Sequence, residues 1–115
     1  MAPAAARAYR FGEFTLDLEG HRLTGLDREI PLQPKAFETL RCLLERHGRL
    51  VTRTELHDRI WGDVAVSDGA LGRCIVEVRK ALGDSASEPR YLQTVPRLGF
   101  RFIAAVEPFP LVPAR

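Results

Sequence analysis

Hydrophobic positions change their period twice along this chain of 115 residues, and the changes divide it into elements. From Tyr9 to Leu18 the apolar residues Tyr9, Phe11, Phe14, Leu16 and Leu18 recur about every second position, the period of a strand with one buried face. Glu19-Gly20-His21 and Gly25-Leu26-Asp27-Arg28 break the run as turns, with Leu23 inward between them and Glu29 to Leu32 as a short last strand. Residues 9–32 therefore predict a small antiparallel meander of three or four strands. At Gln33-Pro34 the period becomes helical. Pro34 suits the first turn of a helix, where its missing N–H costs little. Ala36, Phe37, Leu40, Leu43 and Leu44 then form one apolar stripe, which predicts a helix over 34–47 closed by Gly48.

The second half repeats the helical pattern and then returns to strands. Thr52-Arg53-Thr54-Glu55 has the spacing of a capping box and predicts a helix over 53–61, with Leu56, Ile60 and Trp61 inward and Gly62 as its stop. Residues 63–66 form a loop anchored by Val64 and Val66. Ser67 is read as the N-cap of a third helix over 68–82, with Leu71, Ile75, Val78 and Leu82 on one face and Gly83 at its end. Residues 91–95 and 100–104 predict two strands joined by Pro96-Arg97-Leu98-Gly99, a β-hairpin. The tail from 107 has three prolines between 108 and 113 and reads as an extended linker or end. The organisation predicted is a disordered N-terminus over 1–8, one domain over 9–106 and a Pro-rich tail over 107–115. No internal repeat is visible.

Composition narrows the function classes. The chain is 45% hydrophobic and 28% charged, enough for one core. Its formal net charge is +2. Residues 1–66 carry ten basic and ten acidic side chains, whereas residues 67–103 carry six basic against four acidic, so the excess lies in the C-terminal half. A local patch can hold phosphate on a nearly neutral chain; an ordinary solvated surface has the same composition. Cys42 and Cys74 form neither a disulfide framework nor a metal-ligand set, and both are expected to be reduced and mostly buried, as in a cytoplasmic protein. His21, His47 and His57 are scattered, and no metal or cofactor is expected. No nucleophile or cleft motif accompanies Glu55 and Asp58, so the chain is not read as an enzyme. No signal peptide or membrane span is recognised.

The order of meander, helix, helix, loop, helix and hairpin is what a winged helix requires: an α-helix fits the major groove, and a hairpin can lie beside it. The outward face of the third helix carries Gly72, Arg73, Val76, Glu77 and Lys80. Arg73 and Lys80 can pair with phosphate or guanine, Glu77 can accept from cytosine, and Val76 can touch a thymine methyl. Gly72 costs the helix roughly 1 kcal/mol relative to alanine; either it allows close approach to DNA or it is a tolerated surface glycine.

Four segments carry a family resemblance. The stretch Val66-Ser67-Asp68-Gly69-Ala70-Leu71-Gly72-Arg73-Cys74-Ile75-Val76-Glu77-Val78-Arg79-Lys80-Ala81-Leu82-Gly83-Asp84 resembles the recognition helix of the OmpR/PhoB-type winged-helix regulators. Residues 91–102 resemble their wing, Leu50 to Leu56 with Ile60-Trp61-Gly62 their second helix, and Pro31 to Phe37 the entry to their first. The resemblance spans residues 9–106. It implies an α+β winged helix-turn-helix fold and sequence-specific binding to double-stranded DNA by a bacterial-type transcriptional regulator. The third helix would enter the major groove. Arg79 and Lys80 would lie near the DNA backbone, and Thr94, Arg97 and Arg101 on the wing would approach the flanking minor groove or phosphates. The loop 62–67 resembles one that meets RNA polymerase in some members, and two copies side by side on a direct repeat are implied.

The departures are specific. Many phosphorelay members have Arg at the position of Glu77, and R-G-x-G-Y where this chain has Pro96-Arg97-Leu98-Gly99-Phe100. The wing and the start of the third helix look more like the subgroup with this domain at the N-terminus of a larger protein, and no receiver domain is expected here. The competing reading is a winged helix used for protein interaction without DNA binding. The basic residues Arg73, Lys80, Arg97 and Arg101 argue for DNA.

Overall fold

In the computed structural model, which describes residues 6–67 and 69–110, the alternating N-terminal segment folds as four antiparallel strands. These are β1 (Ala6–Phe11), β2 (Phe14–Asp17), β3 (Arg22–Gly25) and β4 (Arg28–Ile30). Tyr9 lies opposite Leu16, and Leu16 opposite Leu23. This places their side chains on one buried face, as the period of two requires. Helix α1 (Pro34–Glu45) follows, then a short strand β5 (Leu50–Thr52) that leads directly into α2 (Arg53–Trp61). The third helix, α3 (Ala70–Leu82), precedes the hairpin of β6 (Leu92–Val95) and β7 (Gly99–Phe102). A last strand, β8 (Glu107–Pro110), returns to the meander.

Two sheets result: one ordered β4-β3-β2-β1-β8, the other β5-β7-β6. The three helices share one apolar core with both of them. The stripe of α1 is buried through Phe37, Leu40, Leu43 and Leu44, and that of α3 through Leu71, Ile75, Val78 and Leu82. Phe11 joins the sheets, meeting Phe102 edge-on at 5.3 Å between centroids and Tyr91 at 6.1 Å. The capping box is present in full: Thr52 Oγ1 accepts from Glu55 N–H at 3.1 Å, and Glu55 Oε1 accepts from Thr52 N–H at 2.9 Å. The bonds to Thr52 hold the Glu55 carboxyl below its ordinary pKa.

Several expectations are corrected. Residues 6–8 belong to β1 instead of a disordered end, and residues 107–110 pair with β1 instead of forming a linker. Residues 1–5 and 111–115, the rest of the proposed disordered N-terminus and Pro-rich tail, lie outside the described residues. Helix α1 ends at Glu45, two residues before the expected end. Helix α3 begins at Ala70 with Gly69 as its N-cap, so Ser67 does not cap it. The wing strands begin at Leu92 and Gly99, and the second ends at Phe102. Strand β5 was not foreseen; three residues beside a helix cap give no periodicity of their own. Among the described residues no helix is long and apolar enough to cross a membrane.

Candidate nucleic-acid interface

Helix α3 turns one face to the core and leaves the other free. Gly69, Gly72, Arg73, Val76, Glu77 and Lys80 line one open depression of about 680 Å3 on that free face. Gly72, Arg73, Val76 and Lys80 are exposed, and Glu77 is half-buried. The Arg73 guanidinium donates to Ser67 Oγ at 3.0 Å, which draws it towards the loop before the helix. Glu77 points elsewhere. Its Oε2 accepts from the Gln33 N–H at 2.6 Å, across 44 residues. Gln33 is the N-cap of α1, and its own side chain makes no capping bond. The α3 carboxylate therefore supplies the cap and sits at the positive end of the α1 dipole. The direct base contact considered for Glu77 competes with this bond.

The wing is fixed to α3 at its root, and its tip is set against the start of α2. Asp84, just past the end of α3, accepts from the main-chain N–H groups of Arg90, Tyr91 and Leu92 at 2.7, 3.3 and 2.8 Å. Arg79, in the last turn of α3, donates to the Leu92 carbonyl at 3.0 Å and to Thr94 Oγ1 at 2.7 Å. Burial pushes the Arg79 guanidinium pKa down, against the nearby Asp84 carboxylate. Arg79 Nε is buried with no hydrogen-bond partner among the described residues. Arg79 and Thr94, both placed among candidate DNA contacts by the sequence, are thus engaged with each other. Arg101 is half-buried and donates to Gln93 Oε1 at 3.2 Å.

At the tip, Arg97 is exposed with φ of 70°. Leu98 N–H bonds to the Val95 carbonyl at 3.0 Å, and the Leu98 carbonyl accepts from Arg53 N–H at 3.1 Å. Beneath the turn, a Cβ on Gly99 would come within 2.0 Å of the Val51 carbonyl oxygen, so β7 can approach β5 this closely only with glycine there. This contact sets the hairpin against the start of α2.

The structure brings Gly72, Arg73, Val76, Glu77 and Lys80 together on α3, and it places Arg97 apart at the wing tip. Sequence reasoning passed over two residues. Asp84 holds the wing root; its signal was an Asp directly after a helix-closing glycine. Arg53 is exposed at the start of α2, with its guanidinium 5.1 Å from the Phe100 ring centroid; its signal was a basic residue at the first position after a capping threonine. Cys42 and Cys74 are free thiols, and burial pushes the pKa of both up.

Three helices with the third turned outward, followed by a hairpin fixed beside it, define a winged helix-turn-helix domain. The model of the family described as "Transcriptional regulatory protein, C terminal" matches residues 27–102, and the chain belongs to that family. It is 33% identical over 100 residues to the transcriptional regulator HilA of Salmonella typhi, covering 87% of this chain and 18% of HilA. It is 34% identical over 102 residues to the cholera toxin transcriptional activator of Vibrio cholerae, covering 83% and 34% respectively. The chain thus spans 18% to 34% of the length of these relatives. Among solved structures, the DNA-binding domain of Escherichia coli CadC superposes with a TM-score of 0.77 at 24% identity, covering 93% of this chain and 100% of that one. The Klebsiella pneumoniae RstA DNA-binding domain, solved in complex with the RstA box, gives 0.75 at 26% identity, covering 84% and 97%.

Proposed function

We propose that this domain binds double-stranded DNA sequence-specifically as the recognition unit of a transcriptional regulator in the cytoplasm, acting by binding and not by catalysis. The observation that carries the reading is the free face of α3, with exposed Arg73 and Lys80, set beside a hairpin that presents Arg97. A helix so placed fits the major groove, and the hairpin reaches the flanking backbone or minor groove. The bound state of the RstA domain supports this reading. Lys80, Arg97 and Arg101 position the domain on phosphates, and Arg53 at the start of α2 adds a further positive group. Arg79 and Thr94 contribute through their mutual bond, which holds the wing. The loop 62–67, where Val64 is 64% exposed, is the surface offered to RNA polymerase, and two copies bind side by side on a direct repeat.

Selection of bound sequences from a random duplex pool, followed by titration of the winner across salt concentrations, tests this. One enriched motif and a log–log salt slope of about −4 to −7 are expected, as for roughly five to seven neutralised phosphates. Lys80→Ala lowers that slope by about one, and Arg73→Ala weakens binding about fivefold with the thermal midpoint unchanged. A folded sample that enriches no motif and shows no salt-sensitive binding sinks the proposal and moves the domain to protein interaction.

A further inference from the structure

The centre of the α3 face is apolar, and its polar neighbours are turned aside. Glu77 is drawn to the start of α1, and Arg73 to Ser67. Between them remain Gly72 and Val76, one helical turn apart and on the same face. Val76 is 57% exposed, on a helix whose other side already fills the core. Among the described residues a Cβ at Gly72 would meet nothing within 4 Å, so no packing among them calls for glycine there. Both residues work against the isolated domain: glycine weakens the helix interior, and the valine leaves apolar surface in water. Both make sense against an apolar protrusion that enters the depression over them.

In the major groove that protrusion has one chemical identity. Every base edge there offers donors or acceptors, and thymine alone adds a C5-methyl group. An isopropyl group has no hydrogen-bonding atom and complements the methyl. Arg73 and Lys80 lie one turn to either side of Val76 and line the same depression.

Resting on the reading of α3 as the major-groove helix, we propose that the Gly72–Val76 notch seats the methyl group of a thymine. One position of each half-site is then read by shape and apolar contact instead of by hydrogen bonds. The lack of a side chain at Gly72 is what lets the helix come close enough.

The test removes the methyl and nothing else. In the duplex recovered by selection, each thymine of a half-site is replaced in turn by deoxyuridine, and the full 115-residue chain is titrated against each duplex. One position is expected to lose about three- to fivefold in affinity, the value of one buried methyl group. Val76→Ala weakens binding to the parent duplex and abolishes the difference between thymine and uracil at that position. Gly72→Ala raises the thermal midpoint yet weakens binding about fivefold, which separates a contact role from a folding role. Deoxyuridine duplexes that all bind like the parent, or a Val76→Ala variant that keeps the full uracil penalty, overturn the notch and leave the DNA-binding reading standing. A folded protein that binds no duplex overturns both.

Discussion

Asp84→Ala lowers the stability of the domain by about 3 kcal/mol, enough to drop its thermal midpoint by more than about 10 °C. One carboxylate faces three main-chain N–H groups, those of Arg90, Tyr91 and Leu92, where the chain leaves its polar loop and enters β6. Hydrogen bonds to a charged acceptor contribute roughly 1.5–3 kcal/mol each, and three that share one acceptor do not add fully. Alanine leaves all three donors without their partner, and Leu92 is fully buried, so water cannot take over at that end. The same change removes a carboxylate whose charge favours the half-buried Arg79 guanidinium, so the tie from α3 to Leu92 and Thr94 weakens as well. Asp84→Asn recovers part of the loss, because its amide oxygen still accepts. Thermal and urea unfolding followed by circular dichroism measures both variants; a loss under about 1 kcal/mol for alanine would show that the loop holds its course without Asp84.

Arg97→Gly is expected to move stability and affinity in opposite directions. The residue adopts φ of 70°, a left-handed conformation that costs a side-chain-bearing residue about 1–2 kcal/mol and glycine nothing. In the R-G-x-G-Y pattern of the related phosphorelay regulators, the glycine falls at this position. This chain keeps the glycine-type backbone and carries an arginine on it, which places an exposed guanidinium at the tip of the wing. Glycine relieves the backbone and raises the unfolding free energy by about 1 kcal/mol. It also removes the exposed cation of the wing tip and is expected to weaken specific duplex binding about ten- to thirtyfold, the value of one hydrogen bond to a charged group. Denaturant unfolding and duplex titration on one preparation read both effects. Unchanged affinity would leave the strain without a functional counterpart and remove Arg97 from the interface.

The elements were legible wherever local pattern and local cause coincide. The apolar stripes of α1 and α3, the capping box at Thr52 and Glu55, and a hairpin turn after Val95 are written within a few residues and are found in the fold. What escaped depends on distant partners. Residues 107–110 read as a linker because prolines interrupt them, yet they add to the edge of β1, about a hundred residues earlier in the chain. Ser67 has the side chain of a cap, but its carbonyl accepts from the Ala70 N–H in a turn, and Gly69 takes the N-cap position. The candidate site divided along the same line. Spacing alone placed Gly72, Arg73, Val76 and Lys80 on one exposed face. Spacing does not show that the Glu77 carboxylate has a helix end to cap 44 residues away, or that Arg79 faces inward to β6.

The pairing of β8 with β1 governs how tension would travel through the domain. Ala6 lies opposite Pro110 and Arg10 opposite Glu107, so the outer ends of the two strands are neighbours. A pull separating those ends loads the ladder one rung at a time, as a zipper opens, instead of shearing all rungs together. The zipper is thin, because Pro108 and Pro110 have no N–H to donate. One side-chain contact across it is the Arg10 guanidinium, 4.4 Å from the Phe109 ring centroid. Pulled apart at Ala6 and Pro110, this strand pair is expected to part before the three helices and the wing lose their packing.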